Sequence, residues 1–167
     1  ILNSSKNYQN LRCKQMKYPD DLPTASIVFI FKNERWSPVL RSVYSVINRS
    51  PRHLLKEVIL VDDQSDIDEM KQPLDDYCEK HFGDIVKIMR PPKRLGLIAA
   101  KNYGGRRATG DVIVFLDAHI EANHGWLEPI LARIKEKRSA ILCPTIDSID
   151  DKTYIIIKII SLIFWLI

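Results

Sequence analysis

The chain has 167 residues, 46% hydrophobic and 28% charged, with a formal net charge of +4. That length and balance fit one globular domain with a buried core and exclude a disordered or fibrous chain. The net charge is modest, and no nucleic-acid partner is expected. Residues 1–25 are polar and irregular and read as an amino-terminal arm. From Ser26 onward, short apolar runs alternate with helical patterns, the grammar of β-α-β units. The run SIVFIF (26–31) is apolar without alternation, as a strand covered on both faces must be. Ser37 and Pro38 supply a cap and a first-turn proline for a helix carried by Leu40, Val43, Tyr44 and Ile47 and stopped at Ser50-Pro51. EVILVDD (57–63) is the second strand, and Ser65 with Asp68 three residues later predicts a capped helix after it. IVKIM (85–89) is the third strand, leading through the loop RPPKRLGL into a helix that runs to about Ala108. Gly104-Gly105 within it reads as close packing or a break. Thr109-Gly110 ends that helix, and DVIVFLD (111–117) is the fourth strand. Trp126, Leu127, Ile130, Leu131 and Ile134 mark an amphipathic helix, and AILCPTI (140–146) reads as a fifth strand. The tail IIIKIISLIFWLI (155–167) changes composition abruptly, yet it is short of the ~20 apolar residues that span a membrane.

This order predicts an α/β domain, an open, mostly parallel sheet with helices on both faces. Ligands of such sheets gather at the carboxyl ends of the strands, where Asn33-Glu34, Asp62-Asp63 and Asp117-His119 fall. Residues two apart in a strand share a side. If strand geometry continues past Leu116, Asp117 and His119 can face one divalent cation of intermediate hardness, such as Mn2+. Standing alone, a D-x-H reads as a helix-capping Asp and a surface His. The acidic pair ending the second strand, and Arg94 with Gly96 in the loop after the third, favour a ligand site, because Arg holds phosphate through two parallel bonds. The cluster Arg90 to Arg94 with Lys101, Arg106 and Arg107 reads as an anion site or as a solvated helix face. No G-x-G-x-x-G and no P-loop occurs, which disfavours a dinucleotide oxidoreductase and a Walker-type nucleotidase. Cys13, Cys78 and Cys143 form no close pair, excluding a zinc ribbon and a redox C-x-x-C.

Several long motifs in order, FKNERWSPVLRSVYSVINRSPRHLLKEVILVDDQSD, KRLGL, GDVIVFLDAHIEAN, GWLEPILARIKEKR and CPTID, carry a family resemblance. Over about Cys13 to Tyr154 the chain resembles the amino-terminal glycosyltransferase subdomain of the polypeptide N-acetylgalactosaminyltransferases. The resemblance implies a GT-A fold for residues 26–154 that binds a nucleotide sugar. It implies Mn2+ as cofactor and transfer of N-acetylgalactosamine from UDP-GalNAc to Ser or Thr of protein acceptors, with retained configuration. It also implies residence in the Golgi lumen behind an amino-terminal membrane anchor. Position by position, Asp117 and His119 match the family's metal pair, and Asp63 and Arg94 match contacts to the donor nucleotide. Ala118 stands where a small residue touches the donor, and Ile30 occupies a donor-contact position often filled by Thr. No protein nucleophile is implied and no catalytic residue is assigned; Glu34 is assigned to structure or loop hydrogen bonds.

The chain departs from the family pattern at Lys32, Leu95, Ile120 and the run from Ala99 to Gly104. The family's third metal ligand, a His, and its acceptor-site segment fall beyond residue 167, so the carboxyl-terminal half of the catalytic domain is expected to be missing. The alternative reading is a truncated, noncatalytic protein that binds UDP or a protein partner without transfer. Cys13 resembles a family cysteine whose disulfide partner lies further along, and the tail from residue 155 is expected to resemble nothing in the family.

Overall fold

The computed structural model describes residues 15–144, 146–150, 152–153 and 156–157. Cys13 with its disulfide expectation, most of the arm and most of the apolar tail lie outside these residues. Four apolar runs become the strands β1 (Ala25–Phe31), β2 (Leu55–Asp62), β3 (Val86–Met89) and β4 (Val112–Asp117). They form one parallel sheet in the order β3-β2-β1-β4. Every crossover carries a helix: α1 (Trp36–Arg49), α2 (Gln72–Phe82) and α3 (Leu97–Gly105), with α4 (Leu127–Glu136) following β4. A short antiparallel pair, β5 (Ser148–Ile149) and β6 (Ile156–Ile157), stands apart from this sheet.

Side-chain alternation along β1 divides the core between the two faces. Ala25, Ile27, Phe29 and Phe31 join Val39, Leu40, Val43 and Val46 of α1, Leu74 of α2 and Leu127 and Leu131 of α4. Val28 on the other face meets Ile59, Val61 and Ala100 of α3. Burying each such aliphatic side chain is worth roughly 1.5–3 kcal/mol, so the four core residues of α1 alone outweigh its missing side-chain cap. Helices therefore cover both faces, as the sequence predicts. Gly104 lets α3 approach, because a Cβ there would stand 2.7 Å from Val28 Cγ1 and 2.8 Å from Val61 Cγ2. That resolves Gly104-Gly105 as close packing. For Gly104→Ala, a helix-propensity gain of ~1 kcal/mol opposes an overpacking cost of ~1–3 kcal/mol. The expected result is a lower urea midpoint; an unchanged midpoint would show that α3 can slide.

Four expectations are corrected. Ser37 is not the cap of α1: Arg35 holds that position without a side-chain bond, and Pro38, in the first turn, has no N–H to be capped. Ser65 does not cap a helix either; its Oγ accepts the Asn33 N–H at 2.9 Å, its N–H donates to Asp62, and α2 begins only at Gln72. The helix expected to run to Ala108 ends at Gly105, where tight turns follow and Thr109 is drawn to the carboxylate of Glu57. Of residues 140–146, none that the structure describes lies in a strand. A strand needs a partner along its edge, and no described strand pairs with this run.

Candidate functional site

Parallel pairing brings three strand ends to one rim. Ile30 of β1 is in register with Val61 of β2 and with Asp117 of β4, and Phe31 is in register with Asp62. Asn33 and Gln64 take positive φ of 54° and 63°, turning the chain sharply where β1 and β2 end. The two turns are tied together: Lys32 Nζ donates to the Gln64 carbonyl at 2.6 Å and to Asp66 at 3.1 Å, and Asn33 Oδ1 accepts the Asp66 N–H at 2.7 Å.

β4 ends at Asp117, and Ala118-His119 form a turn, so the strand geometry that would place both side chains on one side does not continue. Another contact places the imidazole instead. His119 Nδ1 lies 3.0 Å from Glu34 Oε2, across 85 positions of sequence. Burial pushes the Glu34 carboxyl up, but the bonds from His119 and the Arg35 N–H, with their positive charges, outweigh it and hold it below the ordinary value. An anionic Glu34 only accepts, so Nδ1 is the donor to it, and Nε2 is the ring nitrogen left to meet a metal when the ring is neutral. This is the arrangement of a metal-binding His whose second nitrogen is fixed by a carboxylate. The Asp117 carboxylate is exposed and, among the described residues, has no hydrogen-bond or ion-pair partner. A carboxylate oxygen and a fixed imidazole nitrogen fit Mn2+, although no group of three or more metal-ligating side chains occurs among the described residues. Removing the support, Glu34→Ala, is expected to weaken Mn2+ binding by ~10–100-fold, read by the paramagnetic signal of free Mn2+. An unchanged affinity would leave Glu34 as a loop residue.

The other candidates divide. Asp63 is buried, and its two oxygens accept the N–H groups of Leu95 at 2.7 Å and Gly96 at 2.8 Å. It thereby clamps the start of α3, where Gly96 takes a φ of +79°. Arg94 precedes this clamp, is exposed, and has no hydrogen-bond or ion-pair partner among the described residues. Ala118 is only 4% exposed and belongs to the core on the α1 face. Ile30 is half-buried on the opposite face, against the cluster that includes Leu95 and Tyr103. Thus Asp117, His119 and Ile30 share one rim, Asp63 and Arg94 meet through the loop backbone, and Ala118 supports the rim from below.

The basic cluster is mostly spent on structure. Arg90 pairs with Asp62 at 3.1 Å and with both oxygens of Asp75, so Asp62, itself buried, is a structural partner. Arg107 stacks on Tyr103, and Arg106 bonds Asn102. Below the rim, α1 grips the segment after His119. The Ser42 hydroxyl is 2.9 Å from the Ile120 carbonyl, Ser45 Oγ accepts the Ala122 N–H, and Arg49 pairs with Glu121 at 2.8 Å and donates to the Ala122 carbonyl. Trp126 Nε1 closes the segment onto Ser50. Sequence reasoning missed this platform and the Glu34 contact, since no local pattern marks a helix face that binds a distant loop. Cys78 offers no nucleophile: burial, then the Asp75 charge, pushes its thiol up to about 11 against the pull of Arg90.

Residues 26–165 match the family model described as glycosyl transferase family 2, a match that runs past Tyr154. The chain is 56% identical over 142 residues to a Caenorhabditis elegans protein named probable N-acetylgalactosaminyltransferase 9, covering 84% of this chain and 24% of that one. Against human polypeptide N-acetylgalactosaminyltransferase 13 it is 55% identical over 142 residues, covering 85% and 25%. Among solved structures, GalNAc-T7 with UDP, GalNAc and Mn2+ matches with a TM-score of 0.77 at 39% identity, over 79% of this chain and 24% of that one. A mannosyltransferase from Pyrobaculum calidifontis in complex with GDP-Man and Mn2+ matches with a TM-score of 0.54 at 23% identity, over 66% and 33%, and shows the shared fold alone. The chain spans about a quarter of the length of the curated relatives it matches. A parallel GT-A-like sheet, a family match over most of the chain and these identities agree: the chain belongs to glycosyl transferase family 2, and within it resembles the amino-terminal part of the polypeptide N-acetylgalactosaminyltransferases.

Proposed function

We propose that this chain is the donor-binding part of a polypeptide N-acetylgalactosaminyltransferase. On this reading it holds UDP-GalNAc through Mn2+ at the rim of β1, β2 and β4. The whole protein then passes the sugar, with retained configuration, to a Ser or Thr hydroxyl of a protein acceptor. The observation that carries the reading is the rim itself: an exposed Asp117 carboxylate with no partner among the described residues, two positions before an imidazole whose Nδ1 is fixed by Glu34.

Asp117 and His119 would hold the cation, and Mn2+, when bound, neutralises negative charge on the departing diphosphate. Arg94 is exposed to take phosphate oxygens through two parallel bonds. Asp63 holds the loop that carries Arg94, through its bonds to Leu95 and Gly96. Ile30 on the α3 face and Ala118 in the core on the α1 face support the rim from its two sides, and the platform on α1 keeps the His119 segment from moving as ligand enters. The same reading assigns the whole protein to the Golgi lumen behind an amino-terminal anchor, which microscopy of the tagged full gene product tests.

Calorimetric titration of the full chain with UDP, with and without Mn2+, tests donor binding, and incubation with UDP-GalNAc and a Ser/Thr-rich peptide tests transfer. Mn2+-dependent UDP binding is the expected result. Binding without transfer selects a noncatalytic binder for this chain, and no binding overturns the reading.

A further inference from the structure

The loop that carries Arg94 is pinned at both ends by two neighbouring residues of the turn after β2. At its far end, Asp63 accepts the N–H groups of Leu95 at 2.7 Å and Gly96 at 2.8 Å. At its near end, Gln64 Nε2 donates to the carbonyl of Pro91; that oxygen can only accept, so the amide nitrogen is the atom that faces it. Pro92, Lys93 and Arg94 lie between the two anchors, and all of them are exposed. Pro91 and Pro92 fix their own φ and restrict the residue before each. Gln64 is itself firmly held. Its φ of 63° turns it out of the strand, its N–H bonds the Asp62 carbonyl at 2.9 Å, and its carbonyl accepts Lys32 Nζ from the turn after β1 at 2.6 Å. A residue other than Gly, Asn or Asp seldom takes that conformation, and here the strained main chain sends the side chain across to the loop after β3.

We propose that Gln64 is a positioning residue for the donor: through its bond to Pro91 it holds the main chain of the loop so that Arg94 meets the diphosphate already placed. The inference rests on the donor-binding reading above and adds to it a residue that acts through Arg94 rather than by contact with the ligand. An arginine on a free loop has to order that loop when phosphate binds, and the ordering is subtracted from the affinity. Fastened by Asp63 alone, Pro92, Lys93 and Arg94 would swing from one end. The second fastening removes that freedom before the ligand arrives. Its expected contribution is on the order of 10-fold in affinity, ~1.4 kcal/mol, close to the cost of ordering the backbone of one residue. The same residue links two parts of the rim, because Lys32, which grips its carbonyl, stands on the turn whose Glu34 supports His119.

A double-substitution cycle in the full chain, read by calorimetry with UDP at saturating Mn2+, tests it. Gln64→Met keeps the length and neutrality of the side chain and removes the donor. It is expected to weaken UDP binding ~10-fold where Arg94 is present and less than ~2-fold in an Arg94→Ala background, the non-additivity of residues that act as one unit. Equal losses in both backgrounds overturn the proposal, because they mark a general disturbance of the rim. Mn2+ affinity measured without UDP should not change with Gln64→Met, and a matching loss there overturns the proposal on the same ground. Unchanged UDP affinity in Gln64→Met, beside a loss in Arg94→Ala, overturns it and leaves the donor-binding reading standing. No loss in Arg94→Ala overturns it too, by removing the residue through which Gln64 acts. Absence of UDP binding by the unsubstituted chain overturns it together with that reading. Should Gln64→Met fail to fold, Gln64→Gly takes its place, since glycine adopts a positive φ without steric cost, and the same cycle is expected.

Discussion

Replacing Glu57 by Ala is expected to lower the stability of the domain by about 3–5 kcal/mol, the cost of breaking a buried charged network by removing one partner. Glu57 sits in β2 at the end of the sheet opposite the candidate site, with its side chain 2% exposed. Its Oε1 accepts from Ser26 Oγ at 2.8 Å and from Thr109 N and Oγ1 at 2.7 Å each, while Lys87 Nζ lies 2.7 Å from Oε2. Without it, buried donors on β1 and on the turn into β4 lose their acceptor together. Burial pushes this carboxyl up, but the bonds from Lys87, Thr109 and Ser26 outweigh it and bring it from 4.5 down to about 2. A carboxyl depressed on folding stabilises the fold above its unfolded value and loses that contribution as pH falls. The contribution is therefore whole above pH 4.5 and disappears between there and about pH 2. At ~1.4 kcal/mol per unit it amounts to on the order of 3 kcal/mol. Urea unfolding of the two proteins at pH 6 and at pH 2–3 measures it: the gap between them should narrow by about that amount. A gap below 1 kcal/mol at pH 6, or one independent of pH, would remove Glu57 from this role.

Asp117→Asn should abolish Mn2+-dependent UDP binding, with a loss beyond the ~100-fold that marks the upper range for removing a supporting partner. Stability should not follow, because the Asp117 carboxylate is exposed and has no partner among the described residues. The contrast with Glu57→Ala separates the two roles: on the proposed function, one carboxylate serves the fold and the other the ligand. Calorimetry with UDP and Mn2+, beside a urea titration, reads both. Unchanged affinity in the variant would show that the cation sits elsewhere, and a lowered urea midpoint would show that Asp117 has a structural duty.

Strands and crossover helices were legible in the sequence because each rests on a local pattern. β1 and β2 are uninterrupted apolar runs, since both faces are covered, and Ser50-Pro51 stops α1 where the chain must turn. What failed depends on partners far away in sequence. Ser65 has the spacing of a cap, but the main chain of Asn33 takes its hydroxyl. Arg90 resembles a solvated cation, yet Asp62 and Asp75 enclose it. The run 140–146 has strand composition without a described strand partner. At the site, residue types at the strand ends pointed to the rim, whereas the way His119 is held, by Glu34 85 positions earlier, was not readable from any spacing. The D-x-H spacing suggested a side-by-side pair on a continuing strand; the turn at Ala118-His119 replaces that with a contact across the rim.

The strand order has a consequence for biosynthesis. β1 lies between β2 and β4, yet Thr24, just before it, is bonded to Asp111, 87 positions later. At ~5–20 residues per second of translation, β1 leaves the ribosome roughly 4–17 s before its second neighbour exists. Throughout that interval Ile27, Val28 and Phe29 stand on a strand open along one side, a template for pairing with other nascent chains. Slow codons between the two strands would lengthen the exposure, and a holding chaperone would be needed most in that window.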